Sequence, residues 1–386
     1  MKSKTRHVYT ALRGMIEGGE YPNGTRLPSE HELAQRYEVS RPTVASALAE
    51  LVEAGYVVRR PGSGTFVTID RRTVSSLQRK TFGLLSPKLG EVFEPISGRI
   101  ASLSHHNNFN LLWSTPGEGD AEASANFYMT AAERFVESGV DGVFLVPLEY
   151  FEAAETANRT VVERLEAAGI PLVLIDSDIC AFPRRSSYDL VGIDNVRTAY
   201  EATRHYLSQG AERIDFVVRP YSHSTVPERI HGYQLALLHA GISPEAEWVH
   251  RGDAADTSFV EECLDCGASN VICQNDATAI EFMHSLTTLG VAVPEQTRVI
   301  GFDDVRYSRL ARVPLTTSNQ PCEDIGGVAV EMMLRRLAQP ETPSLSVQLR
   351  APLVVRESSL LPARHGDRSL EVGAGYRENR RPSASS

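Results

Sequence analysis

The sequence predicts two fold classes in one chain: a small α+β head, followed by a larger α/β body of doubly wound parallel sheets in two lobes. Three observations carry this. Residues 1–80 hold 13 Lys and Arg against 8 Asp and Glu, a net charge of +5, whereas the rest of the chain carries −15. Within the basic part, two short capped helices are followed by a hairpin signal. From Phe82 onward, short apolar runs alternate with helix-length amphipathic stretches, the rhythm of βαβ units. At roughly 150 residues per domain, 386 residues suggest two to three domains. An ordinary composition, 42% hydrophobic and 23% charged, excludes a collagen-like, wholly disordered or small disulfide-scaffold chain. No run approaches the ~18 apolar residues of a membrane span. The basic start Met1–Arg6 lacks a following apolar stretch, so no signal peptide is read and a cytoplasmic location with no membrane partner is expected. The five cysteines fit a reducing compartment, and the lone pair Cys263/Cys266 has no second pair to complete a zinc site. Neither cofactor nor metal is expected.

The head begins with a helix read from Val8, Leu12, Met15 and Ile16, which share one face, and closed by Gly18 and Gly19. Ser29 and Glu32 form an S-x-x-E capping box that starts a second helix, ending near Tyr37. After a three-residue turn, Ser40 caps a third helix, in which Pro42 occupies the first turn, where no N–H is missed. Val44, Ala47, Leu48, Leu51 and Val52 form its apolar stripe, and Gly55 suits the position after its end. Tyr56–Arg60 and Thr65–Ile69, joined by Pro61-Gly62-Ser63-Gly64, read as a hairpin. Together these make a winged helix-turn-helix.

Leu27-Pro28-Ser29-Glu30, Val39-Ser40-Arg41-Pro42-Thr43-Val44 and Gly62-Ser63-Gly64-Thr65-Phe66-Val67 resemble the GntR family of bacterial regulators, over roughly the first 70 residues. The resemblance implies that the third helix enters the major groove of DNA and the wing reaches the adjacent minor groove. Arg41 stands at the base-reading arginine, its forked donors matching O6 and N7 of guanine. Ser40, Thr43 and the helix start at Ser29 suit phosphates. His31 stands where the family often has Arg, and Ala45 is another departure. The DNA-contacting set is Ser29, His31, Ser40, Arg41, Thr43, Arg59, Arg60, Gly62, Gly64 and Thr65. Each polar member has the plain alternative of a solvated surface residue.

Residues 70–81 lack a periodic pattern and read as a linker, whose Arg71, Arg72, Arg79 and Lys80 serve equally as phosphate contacts or as a solvated tether. The apolar runs of the body are Phe82–Ser86, Leu111–Ser114, Val143–Val146, Leu172–Ile175, Val191–Ile193, Ile214–Val218, Val271–Cys273 and Val299–Phe302. Helical stretches are Glu122–Ser138, Val161–Ala168, Val196–Ser208, Ile230–Ala240 and Thr278–Leu289, punctuated by Gly139, Gly169, Gly210, Gly241 and Gly290. No G-x-G-x-x-G follows a strand, and no G-x-x-x-x-G-K-[ST], H-E-x-x-H or G-x-S-x-G occurs. The chain offers instead polar residues at strand C-termini, where open α/β sheets bind ligands. Asp176, Asn275-Asp276 and Asp303-Asp304 end apolar runs, and Arg229 begins the helix containing His231-Gly232-Tyr233. These side chains can grip vicinal hydroxyls or, alternatively, cap helices, and Asp276 looks most like a cap.

Val140–Val143, Gly169–Val173, Asp194-Asn195, Glu228–Tyr233, Asn275-Asp276, Gly301–Asp304 and Pro314–Pro321 resemble the effector domain of the LacI/GalR repressors, a type I periplasmic-binding-protein fold, over about residues 82–356. The resemblance implies a ligand between two lobes, held here by Asp176, Thr225, Arg229, Asn275, Asp303 and Gln320, with His223 beside them. A GntR head on such a body resembles the layout of the arabinose-responsive AraR repressors. The expected division is a head at 1–69, a linker at 70–81, a body at 82–363 and a disordered tail at 364–386. The expected function is a ligand-responsive repressor: a homodimer on a pseudo-palindromic double-stranded operator, controlled by a small sugar-like effector. The alternative is a DNA-tethered α/β enzyme acting on a sugar or nucleotide. Against it stand the missing catalytic motifs and the absence of any lysine beyond Lys88.

Overall fold

A computed structural model of the chain describes every residue except 1, 18, 54, 61, 69–78, 88–89, 118–119, 150, 223 and 362–386. The expected tail, most of the linker with Arg71 and Arg72, and His223 therefore lie outside the described residues. The chain divides into two compact units, the first covering residues 1–81 with 107–110 and the second the remainder.

In the first unit, helices α1 (Lys2–Glu17), α2 (Glu30–Arg36) and α3 (Arg41–Glu53) precede strands β1 (Val57–Arg60) and β2 (Gly64–Val67). The apolar stripes read from the sequence meet: Val8, Leu12 and Ile16 of α1 pack with Leu33 of α2 and with Val44, Leu48 and Leu51 of α3, all buried. Burying each such side chain stabilises the fold by ~1.5–3 kcal/mol. The capping box forms as read: the Glu32 N–H donates to Ser29 Oγ (3.3 Å), and the Ser29 N–H donates to Glu32 Oε2 (2.7 Å). The wing is antiparallel, with Arg59 opposite Thr65 and Arg60 opposite Gly64.

The second unit contains two six-stranded sheets. In the first lobe the strands are β3 (Lys80–Leu85), β4 (Phe109–Ser114), β5 (Gly142–Leu145), β6 (Leu172–Ile175), β7 (Asp189–Ile193) and β13 (Ser346–Leu349), in the order β13-β7-β6-β5-β3-β4. In the second they are β8 (Asp215–Val218), β9 (Val249–Arg251), β10 (Asn270–Cys273), β11 (Arg298–Asp303), β12 (Thr316–Asn319) and β14 (Leu353–Val354), in the order β14-β12-β11-β10-β8-β9. Apart from β14, which runs antiparallel to β12, the second sheet pairs in parallel. The central strands are buried on both faces, which explains why they read as unbroken apolar runs.

Strand order shows how the chain changes lobes. It crosses after β7, after β12, and again between β13 and β14. Gln320 lies on the second crossing, directly after β12. After the first crossing, the helix Asn195–Ser208 packs against the helix Thr225–His239. Their approach is close enough that a Cβ at Gly232 would collide with the Val196 carbonyl, so glycine is required there.

Several elements differ from the sequence expectation. Helices Phe93–His106, Thr257–Asp265, Arg306–Leu310 and Cys322–Ala338 and strands β9, β12, β13 and β14 were not read from the sequence. The helix carrying Arg229 starts at Thr225, so Arg229 sits one turn inside rather than at its beginning. The expectation for Asp276 is corrected too. Asn275 is the N-cap, accepting from the Thr278 N–H at 2.9 Å. Asp276 is fully buried and clamps Ser308 Oγ, Thr317 Oγ1 and the Val305 N–H. A carboxylate with three donors at the start of a helix is a structural knot rather than a surface cap.

Candidate functional sites: a basic winged head and an inter-lobe cleft

Contacts within the head link several of its expected DNA-contacting residues. Arg59 of the wing reaches Glu30 Oε1 (2.8 Å) at the start of α2 and the Ala45 carbonyl (3.4 Å) in α3. The part of the wing next to its turn therefore reaches the start of α2 and the second turn of α3, near Ser29, His31, Arg41 and Thr43. The Ser40 carbonyl accepts from the Thr43 and Val44 N–H groups, while its hydroxyl pairs with Thr43 Oγ1 at 2.8 Å. His31 pairs with Gln35 (3.4 Å). Arg41 is exposed and engages no side chain among the described residues, so its guanidinium is available to a partner. The Arg59–Glu30 pair is itself half-exposed, and such pairs are worth only ~0–1 kcal/mol, so a phosphate can take Arg59 from it at little cost.

Arg60 lies over the Phe66 ring, 4.8 Å from its centroid. Gly62 and Gly64 have φ of +73° and +112°, the region glycine favours, and a Cβ at Gly64 would sit 2.7 Å from Arg26 Nε. Gly64 thus has a structural reason of its own. Arg26, missed from the sequence, is a guanidinium packed on the wing. Arg41→Ala is expected to weaken specific DNA binding by ~1–3 kcal/mol and to relax base preference at one position per half-site. Binding to a selected DNA fragment measured at matched salt checks this, and unchanged affinity removes Arg41 from base reading.

The second site is a cavity of about 480 Å³ between the two lobes of the body. All six expected effector positions line it: Asp176, Thr225, Arg229, Asn275, Asp303 and Gln320. They arrive from separate elements: Asp176 from the end of β6, Thr225 and Arg229 from one helix, Asn275 and Asp303 from the ends of β10 and β11, and Gln320 from the crossing after β12. Strand C-termini converge there because both sheets are parallel and face each other by those ends.

Arg229 is the hub. It is 4% exposed. Its Nε donates to Asn195 Oδ1 (2.8 Å), Nη1 donates to the Gln274 carbonyl, Nη2 lies 4.0 Å from Asp303 Oδ1, and its plane covers the Phe302 ring at 4.7 Å. Asn195, read from the sequence as part of a motif but not as a site residue, passes the network on by donating to Glu228 Oε2 (3.2 Å). Gln320 Nε2 donates to Asp176 Oδ1 (2.8 Å). Asp303 and Asp304 diverge, as adjacent residues at a strand end should. Asp304 turns away to Arg309, Arg356 and Asn319. Asp176, Asp303 and Asp304 have φ of +70°, +118° and +54°, conformations that cost non-glycine residues ~1–3 kcal/mol and that gather at functional sites.

Burial raises the carboxyl groups of this cleft. Asp303 is pushed well above the usual range, with Arg229 pulling it down and Asp276 and Asp176 adding to the rise. Asp176 is raised by burial against the pull of Arg229 and Gln320. Glu149, which the sequence reading missed, is pushed up to about 8 by burial and then by Asp176, against Arg229 and the donors of Ser224 and Ser222. A carboxyl whose folded-state pKa is raised keeps its proton in the native state after the unfolded chain has released it. The stability that Glu149 contributes is then full below about 4.5 and is lost as pH rises toward about 8. His205, pushed below its usual 6.5 by burial, acts in the opposite sense at lower pH. Melting of the body is therefore expected to fall between pH 6.5 and 8, by up to ~1.4 kcal/mol per pH unit for each such proton, and less steeply in Glu149→Gln. A flat profile over that window contradicts the raised carboxyl.

Comparison with known proteins follows the same division. Residues 4–67 match the gntR family of bacterial regulatory proteins, and residues 203–359 match the periplasmic binding protein-like domain. The arabinose metabolism transcriptional repressor of Halalkalibacterium halodurans is 27% identical over 380 residues, covering 93% of this chain and 97% of that protein. Among solved structures, a LacI family transcriptional regulator from Enterococcus faecium with bound ribose superposes with a TM-score of 0.60 at 25% identity, covering 74% of this chain and 100% of the other. The transcription regulator CcpA of Lactococcus lactis reaches 0.64 at 20% identity over 73% of this chain and 100% of its own, a likeness of fold. The chain is a transcriptional regulator that joins a GntR-family DNA-binding head to a periplasmic-binding-protein-like effector body.

Proposed function

We propose that this regulator is a repressor whose hold on a pseudo-palindromic operator is set by a small sugar-like effector in the inter-lobe cleft, contacted by Asp176, Thr225, Arg229, Asn275, Asp303 and Gln320. The observation that carries the reading is the convergence of those six positions, from five separate places in the chain, on one cavity. Carboxylates, an amide and a buried guanidinium are what vicinal hydroxyls need as partners. The names of the relatives support the same reading, since one represses arabinose metabolism genes and another binds ribose. They also favour a regulator over a DNA-tethered enzyme. Ten head residues complete the proposal: Ser29, His31, Ser40, Arg41, Thr43, Arg59, Arg60, Gly62, Gly64 and Thr65 face the operator. The protein acts in the cytoplasm as a homodimer, with a head at 1–69, a linker at 70–81 and a body at 82–363. Among the described residues no helix is long and apolar enough to cross a membrane.

The lobes are already latched across the cleft by the Asp178 N–H on Ser224 Oγ (3.0 Å) and the Arg306 N–H on Glu91 Oε2. Effector binding regulates only if it favours one lobe arrangement over another. A thermal-shift screen of sugars and nucleosides on the full chain tests the reading. A ligand that binds only the native state adds about 2.7 kcal/mol at one hundred times its Kd. A sugar that raises the melting point supports the reading, and a screen in which only nucleosides do so overturns it.

A further inference from the structure

Glu149 belongs to no part of the site read from the sequence, yet it lines the same cavity as Asp176 and Asp303. Its Oε1 is buried and has no hydrogen-bond partner among the described residues. The same is true of Oε1 of Gln320, a side chain 5% exposed that spends its Nε2 on Asp176. A carboxamide oxygen accepts and cannot donate; the Glu149 carboxyl, which keeps its proton until about pH 8, accepts through its carbonyl oxygen and, once ionised, through both oxygens. The cavity therefore presents two buried oxygens, Oε1 of Glu149 and Oε1 of Gln320, that no described residue satisfies, and a group that donates hydrogen bonds is what completes them.

Charge points the same way. Among the described residues, the ionisable groups facing the cavity are Asp120, Glu149, Asp176 and Asp303, with Arg229 as their one cation. Arg229 is not free to greet an anion: Asn195 and the Gln274 carbonyl hold two of its nitrogens, Asp303 faces the third, and Phe302 covers its plane. The remaining wall is apolar, with Val92, Phe93, Leu148 and Phe151 offering a surface for C–H groups.

We propose that Glu149 is a further effector-contacting residue, and that the cleft is an acceptor site taking an uncharged, hydroxyl-rich effector and rejecting the phosphate ester of the same molecule. The proposal rests on the sugar-responsive reading and narrows it. Each sugar hydroxyl can donate to Glu149, Gln320, Asp303 or Asp176. A phosphate group brings up to two negative charges and mostly acceptor oxygens, beside buried acid groups and acceptors that it cannot satisfy.

Calorimetric titration of the full chain with arabinose and ribose, each beside its own 5-phosphate, tests this. At least one free sugar is expected to bind, and its phosphate at least 100-fold more weakly. Glu149→Ala is expected to weaken the free sugar at least tenfold and to narrow that gap. Glu149→Gln keeps the shape and removes the charge that Glu149 gains above about pH 8; titrated above that pH it is expected to narrow the gap as well, and it replaces the alanine variant if that one does not melt cooperatively. A phosphate that binds as tightly as its free sugar overturns the acceptor site and leaves the sugar-responsive reading standing. If neither sugar nor either phosphate binds, that reading fails and the proposal fails with it. A cooperatively melting Glu149→Ala protein with wild-type affinity and a wild-type gap removes Glu149 from the site.

Discussion

Asp303→Gly is expected to abolish the effector response of the full chain while leaving its melting temperature at or above the wild-type value. Asp303 ends β11 with φ +118°, a conformation glycine adopts without strain. Its carboxyl is buried beside Asp176 and Asp276, with only Arg229 to offset them. Removing it relieves backbone strain of ~1–3 kcal/mol and one crowded acid group, at the loss of a 4.0 Å contact to Arg229. The effector, in contrast, loses a charge-assisted acceptor for its hydroxyls and is expected to bind at least tenfold more weakly, ~1.4 kcal/mol or more. Asp304→Ala is the control, because that carboxyl holds Arg309, Arg356 and Asn319 and does not line the cavity. Effector titration of DNA binding, run beside a melting curve, checks both. A variant that melts lower yet responds at the wild-type effector concentration would show that Asp303 serves the fold rather than the ligand.

Arg229→Met is expected to cost ~3–5 kcal/mol of stability at pH 8 and to eliminate effector binding. The methionine fills the space over Phe302 but leaves Glu149, Asp176 and Asp303 in one cavity without a cation among the described residues, and leaves Asn195 Oδ1 and the Gln274 carbonyl without their donor. Breaking a buried pair is far more costly than never building one, because the partner charge stays buried. The deficit should shrink as pH falls toward 5, since the stranded carboxyls can then take up protons. Arg229→Lys should rescue little, as a compact ammonium on a flexible stem lacks the planar fork that reaches Asn195 and the Gln274 carbonyl from separate nitrogens while covering the Phe302 ring. Melting temperatures across pH 5–8 decide the matter. A Met variant as stable as wild type at pH 8 contradicts the account of the cleft.

The parts of this architecture that were legible in the sequence are those where local rules and burial agree. The Ser29/Glu32 capping box, the stripe of Val44, Ala47, Leu48 and Leu51, and the unbroken runs of β5, β6 and β10 each name their own structure. β12 was hidden because Thr316-Thr317-Ser318-Asn319 is polar in composition, yet Thr316, Thr317 and Ser318 are fully buried. Its Thr316 and Thr317 hydroxyls are satisfied by the Arg356 carbonyl and Asp276, partners far along the chain that no local pattern announces. Edge strands β9, β13 and β14 are short and half-exposed, so alternation over two to four residues was too weak to read. Of the cleft, the strand-end residues Asp176, Asn275 and Asp303 were legible because the end of an apolar run marks a sheet edge. Glu149 was not: it lies beyond such a run in a loop, and only the meeting of two lobes brings it toward Arg229. Asn195 was legible as part of a motif, but its bond to Arg229 forms between two helices of one lobe that are separated along the chain. A lone buried glutamate after Pro147-Leu148 carries no periodic signal.

The central claim is that occupancy of the cleft and occupancy of the head share one free energy. It is tested most directly by measuring the coupling in both directions, using a DNA fragment selected from a random pool by the full chain and the sugar found by thermal shift. Fluorescence anisotropy gives the DNA affinity with and without saturating sugar, and calorimetry gives the sugar affinity with and without saturating DNA. The account predicts that each ligand changes the affinity of the other by the same factor, about 5- to 150-fold, or ~1–3 kcal/mol. A sugar that binds the cleft to saturation and leaves the DNA affinity unchanged would contradict it.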